Sequence, residues 1–227
     1  DLQIHLWDVA SGERLASFSS PGNALVRDVI YAERGGIPQI ITAGDSDEIH
    51  FLDPNTGDAV RDSITVEQGG TLAIALDPVG DKLIIGGRDN SVQMVDLRAE
   101  PVQITSIGNH TNAVTALTFS GDGSVLASAS RDRTIILWNF DADGNSTGRF
   151  RVLTGHRDWI NDLALSPDGR TLASAGRASN NNVILWDMFT GRMLGGALLG
   201  HTAPVAGVAF NADGTRLFSG DTTAAFV

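Results

Sequence analysis

A chain of 227 residues with 42% hydrophobic and 19% charged side chains is long enough to bury a core and too apolar to be a disordered tail. Sixteen Lys and Arg against 27 Asp and Glu leave a net charge of −11, a field that repels nucleic acid and anionic membrane surfaces, and no run of 18 apolar residues is present to span a bilayer. The lack of cysteine rules out a disulfide framework, a thiolate metal site and a cysteine nucleophile, and leaves the compartment open.

Nothing in Asp1–Ile4 resembles a signal peptide, and the expected location is the cytoplasm. From there the chain repeats. A closing residue recurs at Trp7, Leu52, Val95, Trp138 and Trp186, at intervals of 45, 43, 43 and 48. Between these markers, runs of five to eight residues alternate apolar and polar and end at Asp-Gly, Thr-Gly or Gly-Asp turns, which is strand and hairpin patterning. Turns of the form Asp-x-x-x-Gly follow three markers, at Asp8–Gly12, Asp53–Gly57 and Asp187–Gly191, and join a third strand to a fourth. Apolar stretches at Leu72–Leu76 and Leu83–Ile85 read as buried strands. In the clearest unit the pattern predicts strands at 113–119, 124–129, 133–139 and 148–153. The first two are joined at Gly121-Asp122-Gly123, with counterparts at Pro167-Asp168-Gly169 and Ala212-Asp213-Gly214. Terminal strands are expected near 2–8, 13–18, 204–210 and 215–220.

Four short antiparallel strands cannot hide both of their own faces, so the units must stack face to face about an axis. The expected fold is all-β: a β-propeller of four-stranded blades occupying 1–227 as one region of about five repeats. Asp1 stands six residues before Trp7, as Asp132 stands six before Trp138, and Leu217 places the next marker two residues past Val227. Both termini therefore fall inside a blade, and the expectation is a segment of a larger ring. The alternative is closure of five blades, with the first strands of the chain completing the last ones.

Three units are introduced by a histidine, at His110, His156 and His201. With the hydroxyl residues Ser128, Ser174 and Ser219, the acid Asp132 and the indoles Trp138 and Trp186, these offsets resemble the WD40-repeat family, across the whole chain in five periods of unequal quality. The resemblance implies a structural tetrad in which Asp holds His, His bonds Ser and Ser bonds the indole N–H. A Ser-His-Asp hydrolase triad uses the same residue types, but it needs a pocket and an oxyanion hole, and three copies would serve one task. In the Trp186 unit Asn180 stands where Asp is expected, after a turn lengthened by Asn180-Asn181-Asn182. In the last unit Thr223 occupies that position. The Leu52 unit offers Gly22, Thr42 and Ser46, and the Val95 unit Glu67, Ile85 and Asp89; neither set can build the tetrad.

No phosphate-binding loop and no HExxH motif occurs, and neither cofactor nor metal is expected. Asp141-Ala142-Asp143-Gly144-Asn145 opens like a calcium loop but lacks a glutamate at its twelfth position, and hairpin turns favour the same residues. Arg88, Arg131 and Arg177 occupy corresponding loops of three successive units. They are either solvated turn arginines or a grip for an acidic or phosphorylated peptide. Trp159, flanked by Arg157 and Asp158, is either core or a rim aromatic suited to binding.

The resemblance implies a noncatalytic protein-interaction scaffold or sensor, and the Lys-poor, Arg-rich usage is compatible with a larger bacterial protein. The alternative is a propeller hydrolase or lyase with carboxylates at its central channel. Innermost strands such as Val205–Phe210, small and apolar, speak for the scaffold.

Overall fold

The computed structural model describes residues 2–177 and 183–222. Its strands, in chain order, form six antiparallel sheets. β1 (Gln3–Trp7) pairs with β2 (Arg14–Ser19). The Leu52 blade consists of β3 (Val26–Arg34), β4 (Ile37–Gly44), β5 (Glu48–Leu52) and β6 (Ile64–Thr65). The Val95 blade follows with β7 (Thr71–Leu76), β8 (Lys82–Gly87), β9 (Ser91–Asp96) and β10 (Gln103–Asn109). The Trp138 blade contains β11 (Val114–Phe119), β12 (Val125–Ser130), β13 (Thr134–Phe140) and β14 (Ser146–Thr154). The Trp186 blade contains β15 (Ile160–Leu165), β16 (Thr171–Gly176) and β17 (Val183–Asp187), and β18 (Val205–Phe210) pairs with β19 (Leu217–Asp221).

The strands expected in the Trp138 unit lie within two residues of those found. The Trp186 blade departs from four strands: Leu198 and Met193 form only isolated bridges to Val183 and Trp186. The first strands β3, β7, β11, β15 and β18 neighbour one another in that order, which is the inner arc of a propeller. Within the described residues β1–β2 and β18–β19 are separate two-stranded sheets.

Core packing explains why the middle strands are apolar on both faces. On β8, Leu83 and Ile85 face the Leu52 blade, where Ile41, Ile49 and Phe51 meet them, and Ile84 turns to Leu126 and Trp138 of the next blade. On β13, Ile135 and Leu137 face the Trp186 blade while Ile136 and Trp138 face the Val95 blade. Each fully buried Ile or Leu contributes about 1.5–3 kcal/mol, so stability resides between blades rather than within any single one.

Tight turns hold the strands in register at one end. Gly123, Gly169 and Gly214 have φ near +70°, and the preceding Asp122, Asp168 and Asp213 each accept the backbone N–H two residues on, at 2.8–3.0 Å. Asp141 does the same for Asp143 and Asn145, so the acidic stretch considered for calcium is built as a turn. Among the described residues no three His, Cys, Asp or Glu side chains are grouped to hold a metal ion. No helix there is long and apolar enough to cross a membrane.

Candidate functional site

At the opposite end, the residue after each second strand latches onto the loop leading into the first. Asp45 N–H donates to Leu25 O, Arg88 to Gly70, Arg131 to Ala113, Arg177 to Trp159 and Thr222 to Pro204, at 2.8–3.1 Å. These five residues are therefore equivalent, and their side chains emerge together with the inter-blade loops. We call this end the loop face.

Just beneath it lie the polar networks that fix the loops. His110 Nδ1 is 2.9 Å from Asp132 Oδ2 and Nε2 is 2.8 Å from Ser128 Oγ, which accepts the Trp138 Nε1 hydrogen at 2.8 Å. A carboxylate only accepts, so the neutral ring donates from Nδ1 to Asp132 and accepts the Ser128 hydroxyl at Nε2. Asp132 also receives the Thr111 and Thr134 N–H groups at 2.9 Å each and the Thr134 hydroxyl at 2.7 Å. Ser128 is 0% exposed, so no substrate reaches its oxygen and the triad arrangement does not apply.

In the Trp186 blade, His156 Nε2 meets Ser174 Oγ at 2.6 Å and Trp186 Nε1 donates to the same oxygen at 2.8 Å. The Asn180 substitution and the Asn180–Asn182 insertion lie outside the described residues, as does Thr223. For the last unit the structure supplies a different acid. His201 Nε2 meets Ser219 Oγ at 2.7 Å, and Nδ1 meets Asp221 Oδ2 at 2.8 Å, two residues after the serine rather than four.

The Val95 blade also differs from expectation. Gln68, one residue past the histidine register, donates to Ser91 Oγ at 2.7 Å, and Ser91 donates to Asp89 Oδ1 at 2.8 Å. An amide replaces the imidazole, and the network survives in altered form. The Leu52 blade has no comparable chain of bonds among the described residues: Ser46 Oγ reaches only Glu48 O, at 3.5 Å.

Burial holds the His110 imidazole below its ordinary 6.5, with Asp132 offsetting part of the effect. Burial would raise Asp132, but the hydrogen bonds from Thr134 and Thr111 together hold it below 3.8. In both cases the unfolded chain binds protons first as pH falls, so acidification withdraws stability. The contribution of His110 is complete above pH 6.5 and declines below it until the folded ring protonates; that of Asp132 declines only below 3.8. Urea unfolding at a series of pH values should show the first decline in the wild-type chain and its removal in His110→Gln.

The arginines singled out from sequence have unlike surroundings. Arg88 Nη2 donates to Asp45 Oδ1 at 2.6 Å, so this guanidinium is already engaged. Arg27, which sequence reasoning missed, holds the same carboxylate through Nε and Nη2 at 2.8 Å each. These bonds, Arg27's first, bring Asp45 down to about 2. Arg131 and Arg177 instead converge on Trp159, each Cζ 4.8 Å from the indole centroid. Trp159 is half-buried beneath them. Among the described residues neither guanidinium has a carboxylate within ion-pair distance. Arg157 is exposed in the loop of Trp159, and among the described residues it neither lies over that ring nor forms an ion pair.

Two inner-strand acids were also missed. Asp28 accepts the Val29 and Ile74 N–H groups at 2.8 Å each, and Asp162 those of Leu163 at 2.8 Å and Val208 at 2.9 Å. Each thus ties the first strand of one blade to that of the next. Burial holds both carboxyls above the ordinary range, and the charge of Asp162 adds slightly to the effect at Asp28. Their shared place, third in a first strand, is visible in the sequence once the strands are aligned.

The WD40 family profile, described as "WD domain, G-beta repeat", matches residues 101–139, 148–187 and 194–224. The chain is similar to "WD repeat and SOCS box-containing protein 1" of Danio rerio, with 44% identity over 86 residues, and to the proteins of that name in Xenopus tropicalis (43%) and Homo sapiens (42%). Each match covers 37% of this chain and 19% of the relative, so the matched region is about a fifth of the relatives' length. These relatives are vertebrate and lend no support to the bacterial origin suggested by composition. With three matched repeats and the His-Ser-Trp network built in two consecutive blades, this chain belongs to the WD40-repeat family.

Proposed function

We propose that the chain is a noncatalytic docking module that binds an acidic segment of a protein partner on its loop face. One observation carries this reading: in a chain of net charge −11, two guanidiniums without carboxylate partners among the described residues stack on one half-buried indole. Indole and guanidinium are the side chains on which interface energy concentrates, and arginine pairs with carboxylate or phosphate through two parallel hydrogen bonds. The relatives' printed name pairs WD repeats with a SOCS box, consistent with a repeat region that acts through what it binds. The noncatalytic part is supported by the sealed Ser128 and by Asp28 and Asp162, whose oxygens are committed to backbone N–H groups.

Affinity capture from the native host tests the reading. The Arg131→Glu/Arg177→Glu double variant should lose the bound partner at least about tenfold per arginine, because each charge-assisted contact is worth about 1.5–3 kcal/mol. Unchanged capture by a variant that retains the wild-type unfolding midpoint would place docking elsewhere.

A further inference from the structure

The loop face contains one anion receptor whose ligand is visible, because the chain supplies it. Asp45 Oδ1 is held by Arg27 Nε at 2.8 Å and Arg88 Nη2 at 2.6 Å, and Oδ2 by Arg27 Nη2 at 2.8 Å. One carboxylate is thus gripped by guanidiniums from two adjacent blades. Asp45, Arg88, Arg131 and Arg177 occupy equivalent latch positions, so the sign at this position runs negative, positive, positive, positive around the face. The first positive group is answered by Asp45, and the next two have no such answer among the described residues.

Arg131 and Arg177 share the Trp159 ring, each Cζ 4.8 Å from its centroid. The two charges therefore lie within about 10 Å of each other, near one Debye length at physiological salt. Asp132 and Asp158 keep their negative charges nearby while they accept hydrogen bonds, Asp132 from His110, Thr111 and Thr134 and Asp158 from the Trp159 backbone N–H. Arg157 adds a third cation, so three positive charges stand against two negative ones, and neither carboxylate is paired with Arg131 or Arg177. A guanidinium held over a ring keeps its N–H donors, and among the described residues those of Arg131 and Arg177 bond no oxygen of the chain, so they remain for a ligand.

Building on the docking reading above, we infer that Arg131, Trp159 and Arg177 form a receptor for one phosphorylated serine or threonine side chain of the partner. A phosphate ester carries about −1.5 to −2 charges at pH 7 and three acceptor oxygens, enough to answer two guanidiniums; a single carboxylate, as at Asp45, leaves one positive charge over. Holding both arginines against the indole before binding lowers the entropy cost of ordering them.

The test uses the full chain and matched peptide pools that differ only in a central phosphoserine, glutamate or serine, with inorganic phosphate as a fourth probe. Affinity is read by titration, and the site by the Trp159 indole N–H resonance, assigned with Trp159→Phe. The phosphoserine pool should bind at least about tenfold more tightly than the glutamate pool and shift the Trp159 signal. Arg131→Lys and Arg177→Lys, which keep the charge but lose the fork, should each weaken it about tenfold while Arg157→Lys does not, provided unfolding midpoints match the wild type. Equal binding of the phosphoserine and glutamate pools would overturn the phosphate inference and leave acidic docking standing. Inorganic phosphate binding as tightly as the phosphoserine pool would overturn the peptide as its source. Binding that leaves the Trp159 signal unmoved, or none from any pool, would overturn both readings.

Discussion

Replacing Ser128 with alanine should lower the free energy of unfolding by about 2–4 kcal/mol, because one oxygen satisfies two buried groups at once. Its loss strands His110 Nε2 and Trp138 Nε1, both within 2.8 Å of Ser128 Oγ, in a site with no solvent access. Ser174→Ala should cost a similar amount, since Ser174 serves His156 and Trp186 in the same way. Ser46→Ala, which removes only a 3.5 Å contact, should stay within about 0.5 kcal/mol. Urea unfolding at neutral pH compares the three. A loss at Ser128 no larger than at Ser46 would mean that the network does not hold the blade.

Gly44→Ala should be at least as damaging, at about 3 kcal/mol or more, for a steric reason. A Cβ at Gly44 would stand 1.9 Å from Leu25 O and 2.8 Å from its carbonyl carbon, both backbone atoms that no side-chain rotation can move aside. Leu25 O is also the acceptor of the Asp45 latch, so the displacement would carry Asp45 away from Arg27 and Arg88. The equivalent position in the Trp138 blade is Ser130, whose hydroxyl bonds Asn112 O at 2.9 Å. Gly121→Ala is the control: nothing lies within 4 Å of its Cβ position, and the change should be close to neutral. Thermal unfolding of the two variants reads the contrast directly.

Much of this architecture was legible in the sequence because it rests on local chemistry. Alternating strands, Asp-Gly turns and a period near 43 placed β11–β14 within two residues of where they are found. Spacing brought out the residues of the Trp138 tetrad, and the resemblance to WD40 repeats implied how they bond; the structure has those bonds. Substitutions that preserve chemistry while shifting register were not legible: Gln68 lies one residue past the histidine position, and Asp221 two residues before the expected acid.

The loop face shows the same division. Spacing made Arg88, Arg131 and Arg177 look alike, but their surroundings depend on the neighbouring blade. Asp45, at the same latch position one repeat earlier, claims Arg88, and an indole in the loop before β15 gathers the other two. Asp28 and Asp162 escaped notice because their partners, Ile74 N and Val208 N, lie 46 residues ahead in each case.

The central claim, that partners dock on the loop face, is tested most directly by site-specific photo-crosslinking in native host cells. One crosslinking residue replaces Asn112, exposed in the loop latched beside Arg131; the other replaces Phe189, 90% exposed in the turn at the opposite end. A discrete protein adduct from position 112 and none from position 189 is the result expected here. Adducts from position 189 alone would contradict the claim and move the docking surface to the Asp-Gly turns.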